Sequence, residues 1–343
     1  MISFLHRSQF GDQLRCDISY HVITDSRGAF DASDAEMVAH PWLADLRRRG
    51  HVGSHDAMLR AITPWTDRNG GFSPLRLIVF VGLMLPSVSL LYLALTDDLG
   101  PEPVRGAMHE TGRDAIRVLL LSMFMTPLRQ MLRWARLAVL RRMVGLFAMS
   151  YALLHLVLYF AYQNWRLLHG AAEIALRFYL TVGFVAVVGL VVLGVTSTDG
   201  WVKRLGSPAW RRLHKLIFAI AVLGLLHFLL HAKSDITEAV LTTGLFVWLM
   251  LYRAVAPEGG SPSTLRLVVI SVASALLTAA GEAAWYALKT GVDATLVLAA
   301  HLDWEFGLRP AAWVLVSGLA ATALRELARL VPRRGHAKQA GMA

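Results

Sequence analysis

Residues 213–231 read LHKLIFAIAVLGLLHFLLH, and residues 146–162 read LFAMSYALLHLVLYFAY. Each is apolar and of the length that a transmembrane helix needs. Each also carries histidine: His214 and His227 in the first, His155 in the second. An imidazole inside a bilayer is costly, so an intramembrane histidine marks a functional position by default. Thirteen residues separate His214 from His227, a helical rise of about 20 Å, roughly two-thirds of the hydrocarbon thickness. A helix with imidazoles near both faces can hold two haems, one above the other, and such a stack carries electrons across a bilayer.

Working outward from these stretches, the chain reads as eight apolar segments: about 75–96, 114–132, 143–163, 178–196, 210–231, 238–255, 264–288 and 311–330. With 55% hydrophobic residues and a mean hydropathy of +0.49, the composition belongs to an all-α, polytopic transmembrane helical bundle. The second segment is short, and Pro127 near its end predicts a kink or tilt. Residues 1–63 form a polar N-terminal extension without apolar periodicity. It reads as disordered, or as sequence ahead of a start at Met58.

The net charge of +10 does not imply nucleic acid, because the basic residues cluster in short loops beside apolar segments. Arg129, Arg133, Arg136, Arg141 and Arg142 lie between segments two and three, and Lys203, Arg204, Arg211, Arg212 and Lys215 between four and five. The positive-inside rule places these loops, and both termini, in the cytoplasm. Loops 97–113, 164–177 and 232–237 then face the opposite compartment. The single cysteine, Cys16, excludes an intrachain disulfide, a cysteine-ligated iron–sulfur cluster and covalent C-x-x-C-H haem attachment. Any haem is therefore non-covalent.

Under this topology segments three and five run the same way, and His155 and His227 fall at comparable depth in the half away from the cytoplasm. A polar interhelical contact would account for either histidine singly. The matched depth points instead to two axial ligands of one b-type haem iron. His214 sits at the cytoplasmic edge among arginines, and an ideal helix turns it well off the face of His227. A second haem there needs a partner ligand or an open site, and Arg141 and Arg142 are candidates to contact haem propionates. His231, one turn beyond His227, reads as an interfacial residue. His109, His169 and His301 lie in outer loops, and His6, His21, His40, His51, His55 and His336 in the polar ends. Glu282, near the middle of segment seven, is either a proton carrier at a quinone site or a paired carboxylate facing the bundle.

The stretches RRMVGLFAMSYALLHLVLYFAY and RFYLTVGFVAVVGLVVLGVTSTDGWVKRLGSPAWRRLHKLIFAIAVLGLLHFLLHAK, preceded by DDLGPEPVRGAMHETGRDAIRVLLLSMFMTPLRQML, closely resemble the MsrQ family. That family provides the haem-binding membrane subunit of the periplasmic protein-methionine-sulfoxide reductase system, within the ferric-reductase-like transmembrane group. The resemblance covers roughly 64–255. It implies a haem-binding six-helix core there, with 256–343 as a C-terminal extension adding two transmembrane helices. It places the family's haem-iron ligands on His155, His214 and His227, with one or two haems b. It further implies a bacterial inner-membrane protein that passes electrons from the quinone pool to a soluble periplasmic molybdenum-cofactor reductase, which repairs oxidised methionines. An FMN is attributed to the family, but no motif here locates it. Phe178 stands after Arg177 where the family pattern leads one to expect proline.

Two other functions compete. A related cytochrome b fed by a separate flavin reductase fits the same helices. The stretch after segment eight holds no glycine-rich phosphate loop, so electrons are expected from a separate quinol or flavin reductase. A transporter or scaffold with incidental histidines would show no haem spectrum.

Overall fold

The computed structural model describes residues 65–66, 71–232, 235–303, 305 and 307–330. The expectations for the polar stretch 1–63 and for the basic tail after segment eight lie outside the described residues. Those residues hold helices and no strand: α1 Pro74–Leu95, α2 Pro103–Leu132, α3 Leu137–Tyr162, α4 Leu167–Leu176, α5 Phe178–Val195, α6 Asp199–His214, α7 Ile217–His231, α8 Thr237–Val255, α9 Thr264–Thr290, α10 Ala294–Ala300 and α11 Pro310–Leu330. Seven of these are long and apolar enough to cross a membrane, and the α6–α7 pair, bent by 41°, makes an eighth when taken as one span. The polytopic helical bundle is therefore the observed fold. Large apolar side chains along α1, such as Ile78, Leu85, Leu91 and Leu95, are exposed, as expected of a helix that faces lipid rather than water.

Three boundaries differ from the sequence expectation. The second segment is not short. α2 begins at Pro103 and runs 30 residues; its first half mixes charged residues held in ion pairs with buried Ala107, Met108 and Ala115, which hides it from an apolar reading. Arg113 pairs with Glu110 at 2.8 Å and Arg117 with Asp114 at 3.0 Å, and both arginines reach Glu238 at the start of α8. Pro103 at the first helical turn costs no hydrogen bond, since that N–H has no intrahelical partner anyway. The 197–213 loop is mostly helix α6, broken at Gly206, whose φ of 72° lies in the left-handed region that glycine tolerates. Segment five accordingly starts at Ile217 rather than 210, with His214 on α6 and not on α7. The loop 164–177 likewise contains a short helix, α4.

Packing is closest between α2 and α3, and α5 lies against both α3 and α7. The core is a cluster of Val144, Ala148, Leu190, Ala221 and Trp248 with their neighbours. Small residues bring helices together where bulky ones would hold them apart. On the C-terminal side, α8, α9 and α11 pack around Gly244 and Gly318, where added Cβ atoms would strike Thr278 and Ser271. Trp248 Nε1 donates to Ser271 Oγ at 3.0 Å across the same contact. Segments seven and eight, α9 and α11, thus dock on the six-span core through α8, and α11 also touches α2.

Candidate haem-binding site

His155 lies seven residues before the end of α3, and His227 four before the end of α7. Both sit in the half opposite the arginine-rich ends. Their ring centres are 6.3 Å apart with planes at 74°. Two metal–imidazole bonds of about 2 Å, with the nitrogen-to-centre distance added at each end, span roughly 6 Å. The separation therefore suits two ligands on opposite sides of one iron.

Each ring is held in the same way. His155 Nδ1 meets the carbonyl of Met108 at 2.7 Å, and His227 Nδ1 meets that of Tyr179 at 2.8 Å. A carbonyl only accepts, so each Nδ1 carries the proton and donates it. This leaves each Nε2 with its lone pair, which is the form that binds iron. Four residues beyond each carbonyl stands a glycine. A Cβ on Gly112 would lie 2.9 Å from His155 Nδ1, and one on Gly183 would lie 2.7 Å from His227 Nδ1. The absence of a side chain at these positions lets each imidazole cross to its neighbouring helix, α2 or α5, and reach a carbonyl there. Sequence reasoning found the histidines and missed their seats. The M-x-x-x-G of 108–112 and the Y-x-x-x-G of 179–183 are the signals that would have shown them.

The site extends toward the nearer surface. His231 stacks 6.1 Å from His227, Tyr179 stacks 6.4 Å from His227, and His231 Nε2 lies 3.4 Å from His109 Nε2. His109 and His231, expected as a loop residue and an interfacial residue, thus form a polar rim beside the histidine pair.

The structure does not bring His214 to this pair. His214 ends α6, its Nδ1 bonds the carbonyl of Trp210 at 3.1 Å, and its Nε2 bonds Ser197 Oγ at 3.2 Å. The Trp210 ring stacks on it at 4.0 Å. Both ring nitrogens are therefore engaged, and no other histidine ring is paired with it among the described residues. Arg141 and Arg142 open α3 at the arginine-rich end, about 20 Å of helix rise from His155. Arg142 bonds Asp199 at 2.7 Å and ties α3 to α6, while Arg141 lies within electrostatic reach of His214.

Glu282 is 1% exposed. Arg309 donates to its Oε1 at 2.6 Å, and His301 Nε2 lies 3.4 Å from its Oε2. Of the two possibilities read for it, the paired carboxylate facing the bundle is what the geometry presents. Burial lowers the pKa of His301 below the usual imidazole value, against an opposing pull from Glu282.

The fold is a helical membrane bundle that brings two imidazoles together from separate helices, and residues 111–226 match the family of ferric reductase like transmembrane components. Curated relatives narrow this further. The protein-methionine-sulfoxide reductase heme-binding subunit MsrQ of Rhodospirillum rubrum is 39% identical over 183 residues, covering 52% of this chain and 87% of the relative. The protein of the same name from Xanthomonas campestris pv. campestris is 44% identical over 163 residues, 46% of this chain and 72% of the relative. That of Deinococcus radiodurans is 38% identical over 179 residues, 52% of this chain and 89% of the relative. The chain belongs to the MsrQ family. No solved structure matches it.

Proposed function

We propose that this protein is the haem b-carrying electron-transfer subunit of a methionine-sulfoxide reductase system in the bacterial inner membrane, with both termini in the cytoplasm. In this reading it takes electrons from the quinone pool and delivers them to a soluble periplasmic partner bearing a molybdenum cofactor, which reduces oxidised methionines in proteins. One observation carries the proposal: His155 and His227 face each other at ligand separation, each with Nδ1 tied to a backbone carbonyl and Nε2 left for iron. A haem so held supplies a one-electron carrier near the outer surface. The chain's own part is to orient both imidazoles, fix their tautomers through Met108 and Tyr179, and exclude water from one side with the apolar bundle.

The arginine-rich loops support this orientation, since by the positive-inside rule a cytoplasmic position for them leaves the histidine pair in the outer half. A partner would then dock on the outer rim formed by loops near α4 and by His109 and His231. His214 is the candidate ligand of a second, inner haem, with Arg141 the residue best placed to meet its propionates. That role requires His214 to exchange Ser197 for iron. An FMN remains part of the family expectation, and its site is unassigned. The direct test is His155→Ala and His227→Ala with haem counted per chain and EPR recorded. Each variant is expected to lose the low-spin signal of the outer haem, because one missing axial ligand leaves the iron five-coordinate or the site empty. Unchanged haem content and low-spin signal in both would refute the assignment.

A further inference from the structure

A second pair of imidazoles stands beside the first, on the side away from the arginine-rich end. His231 lies one turn beyond His227 on α7. His109 lies three residues before Gly112, the position that borders the His155 ring, and next to Met108, whose carbonyl holds that ring. The Nε2 atoms of His109 and His231 face each other at 3.4 Å, with the rings edge to face at 5.1 Å. His231 is also 6.0 Å from the ring of Tyr179, the residue whose carbonyl holds His227. Each member of the second pair is thus built onto the seat of a member of the first, and both are half-buried. The charges felt at His109 are those of Arg105 and Arg113. Both are already ion-paired, Arg105 with Glu102 at 3.1 Å and Arg113 with Glu110 at 2.8 Å and Glu238 at 3.5 Å.

A tie between two helices needs one donor and one acceptor, and serine or asparagine would serve as well. That leaves unexplained why two imidazoles meet just beyond the two iron ligands. The axis from His155 to His227 crosses between α3 and α7. A macrocycle centred on that axis stands between the helices, with its edges toward the two ends of the bundle. One edge of a haem carries two carboxylates, and a carboxylate buried without a partner is costly. Toward the arginine-rich end the helices present Ala148 and Ala152 on α3, Ala186 and Leu190 on α5, and Ile220 and Ala221 on α7, all buried in one apolar cluster. In the other direction, beside an apolar group of Met108, Tyr159 and Ile174, stand His109 and His231. We propose that His109 and His231 hold the haem propionates, so that the carboxylate edge of the haem faces away from the arginine-rich end. The assignment rests on the reading of His155 and His227 as the axial pair. Two donors 3.4 Å apart can both reach one carboxylate oxygen at an ordinary length of about 2.8 Å. Each ring then carries its proton on Nε2, and the carboxylate replaces the contact between the two imidazoles. The positive sign of Arg105 and Arg113 favours a carboxylate over a metal ion between the same two nitrogens.

The test uses the full-length chain in detergent, freed of haem and titrated with haem b and with its dimethyl ester, in which both propionates are blocked. The parent is expected to bind haem b about tenfold more tightly than the ester, the effect of one hydrogen bond to a charged group. His109→Leu and His231→Leu should each reduce that preference. The double variant should abolish it by weakening haem b alone, with the ester bound as in the parent. His109→Gln keeps an N–H donor and should retain most of the preference. The low-spin EPR signal of the double variant should persist, because His155 and His227 are untouched. The proposal fails if the parent binds haem b and the ester equally, or if the double variant keeps the tenfold preference, which would place the propionates elsewhere. It fails also if the double variant loses the low-spin signal, since the second pair would then act on the ligands and not on the propionates. Should the double variant not fold, His109→Leu against His109→Gln decides the same question. Haem b that binds equally well in His155→Ala and His227→Ala is a separate result, and overturns the axial reading itself.

Discussion

Gly183→Ala puts the histidine seat under a measurable load. The new Cβ would lie 2.7 Å from His227 Nδ1 and 2.8 Å from its Cγ. To regain ordinary contact at 3.4 Å the ring must retreat by about 0.7 Å. Its hydrogen bond to the Tyr179 carbonyl starts at 2.8 Å, so a retreat of that size stretches it to the edge of hydrogen bonding. A metal–nitrogen bond of about 2 Å has no such slack. Overpacking of this kind costs about 1–3 kcal/mol, and losing the partner that orients a ligating histidine weakens metal affinity about 10–100-fold. Haem titrated into apo-protein should therefore bind about 10–100-fold more weakly in Gly183→Ala, with an altered low-spin EPR signal. Gly112→Ala should act in the same direction but less, because its Cβ meets His155 Nδ1 at 2.9 Å. Gly82→Ala in α1 is the control, since nothing lies within 4 Å of its Cβ. Parent-like affinity and EPR in both Gly183→Ala and Gly112→Ala would refute the seat.

Other outcomes follow from the same geometry. His214→Ala should leave the outer haem signal intact, because its contacts are Ser197 and Trp210; loss of that signal would tie His214 to the same iron. Gly318→Val should loosen α11 from α8 and α9 by driving a branched side chain into Ser271 and Trp248, seen as a lower thermal midpoint with haem content unchanged. For His301, a pKa lowered by burial means the unfolded chain binds the extra proton first. Stability should then fall as pH drops below about 6.5, and His301→Gln should flatten that fall in thermal-midpoint measurements between pH 7.5 and 5.5.

The apolar segments were legible because a spanning helix must satisfy its backbone internally and present apolar side chains throughout. Where a helix departs from that pattern, the sequence misled. The stretch 103–113, with Glu110 and Arg113, reads as a loop, yet it is the first part of α2, where Arg113 pairs with Glu110 and with Glu238 on a distant helix. α6 reads as a basic loop because Gly206 and Pro208 interrupt it, although the chain is helical on both sides of Gly206. The histidine pair was legible from matched depth, while its supporting carbonyls were not, since backbone atoms have no letter in a sequence. A pocket at the arginine-rich end, lined by Arg129, Arg133, Gly259, Ser261, Arg325 and Arg329, was hidden for another reason, since only the fold brings those three segments together.

The contrast between the histidines follows from where each finds its carbonyl. His155 and His227 reach across to another helix, 47 and 48 residues away in sequence, and a glycine four residues beyond each carbonyl clears the way. A ring anchored on a neighbouring helix is fixed relative to two elements at once, so its Nε2 is aimed by the bundle. His214 takes its carbonyl from Trp210, one turn back on its own helix, and its aim depends on α6 alone. α6 meets α7 at a 41° bend, and its neighbour Ser197 occupies the nitrogen that iron would need. Preorganisation is therefore unequal: the outer pair is set before any metal arrives, whereas iron at His214 would have to break a hydrogen bond first. A second haem should accordingly bind after the first and more weakly, and Ser197→Ala, which removes the competing hydroxyl, should strengthen it. Stepwise haem titration of parent and Ser197→Ala decides the matter, and equal affinities at both steps in the parent would contradict the argument.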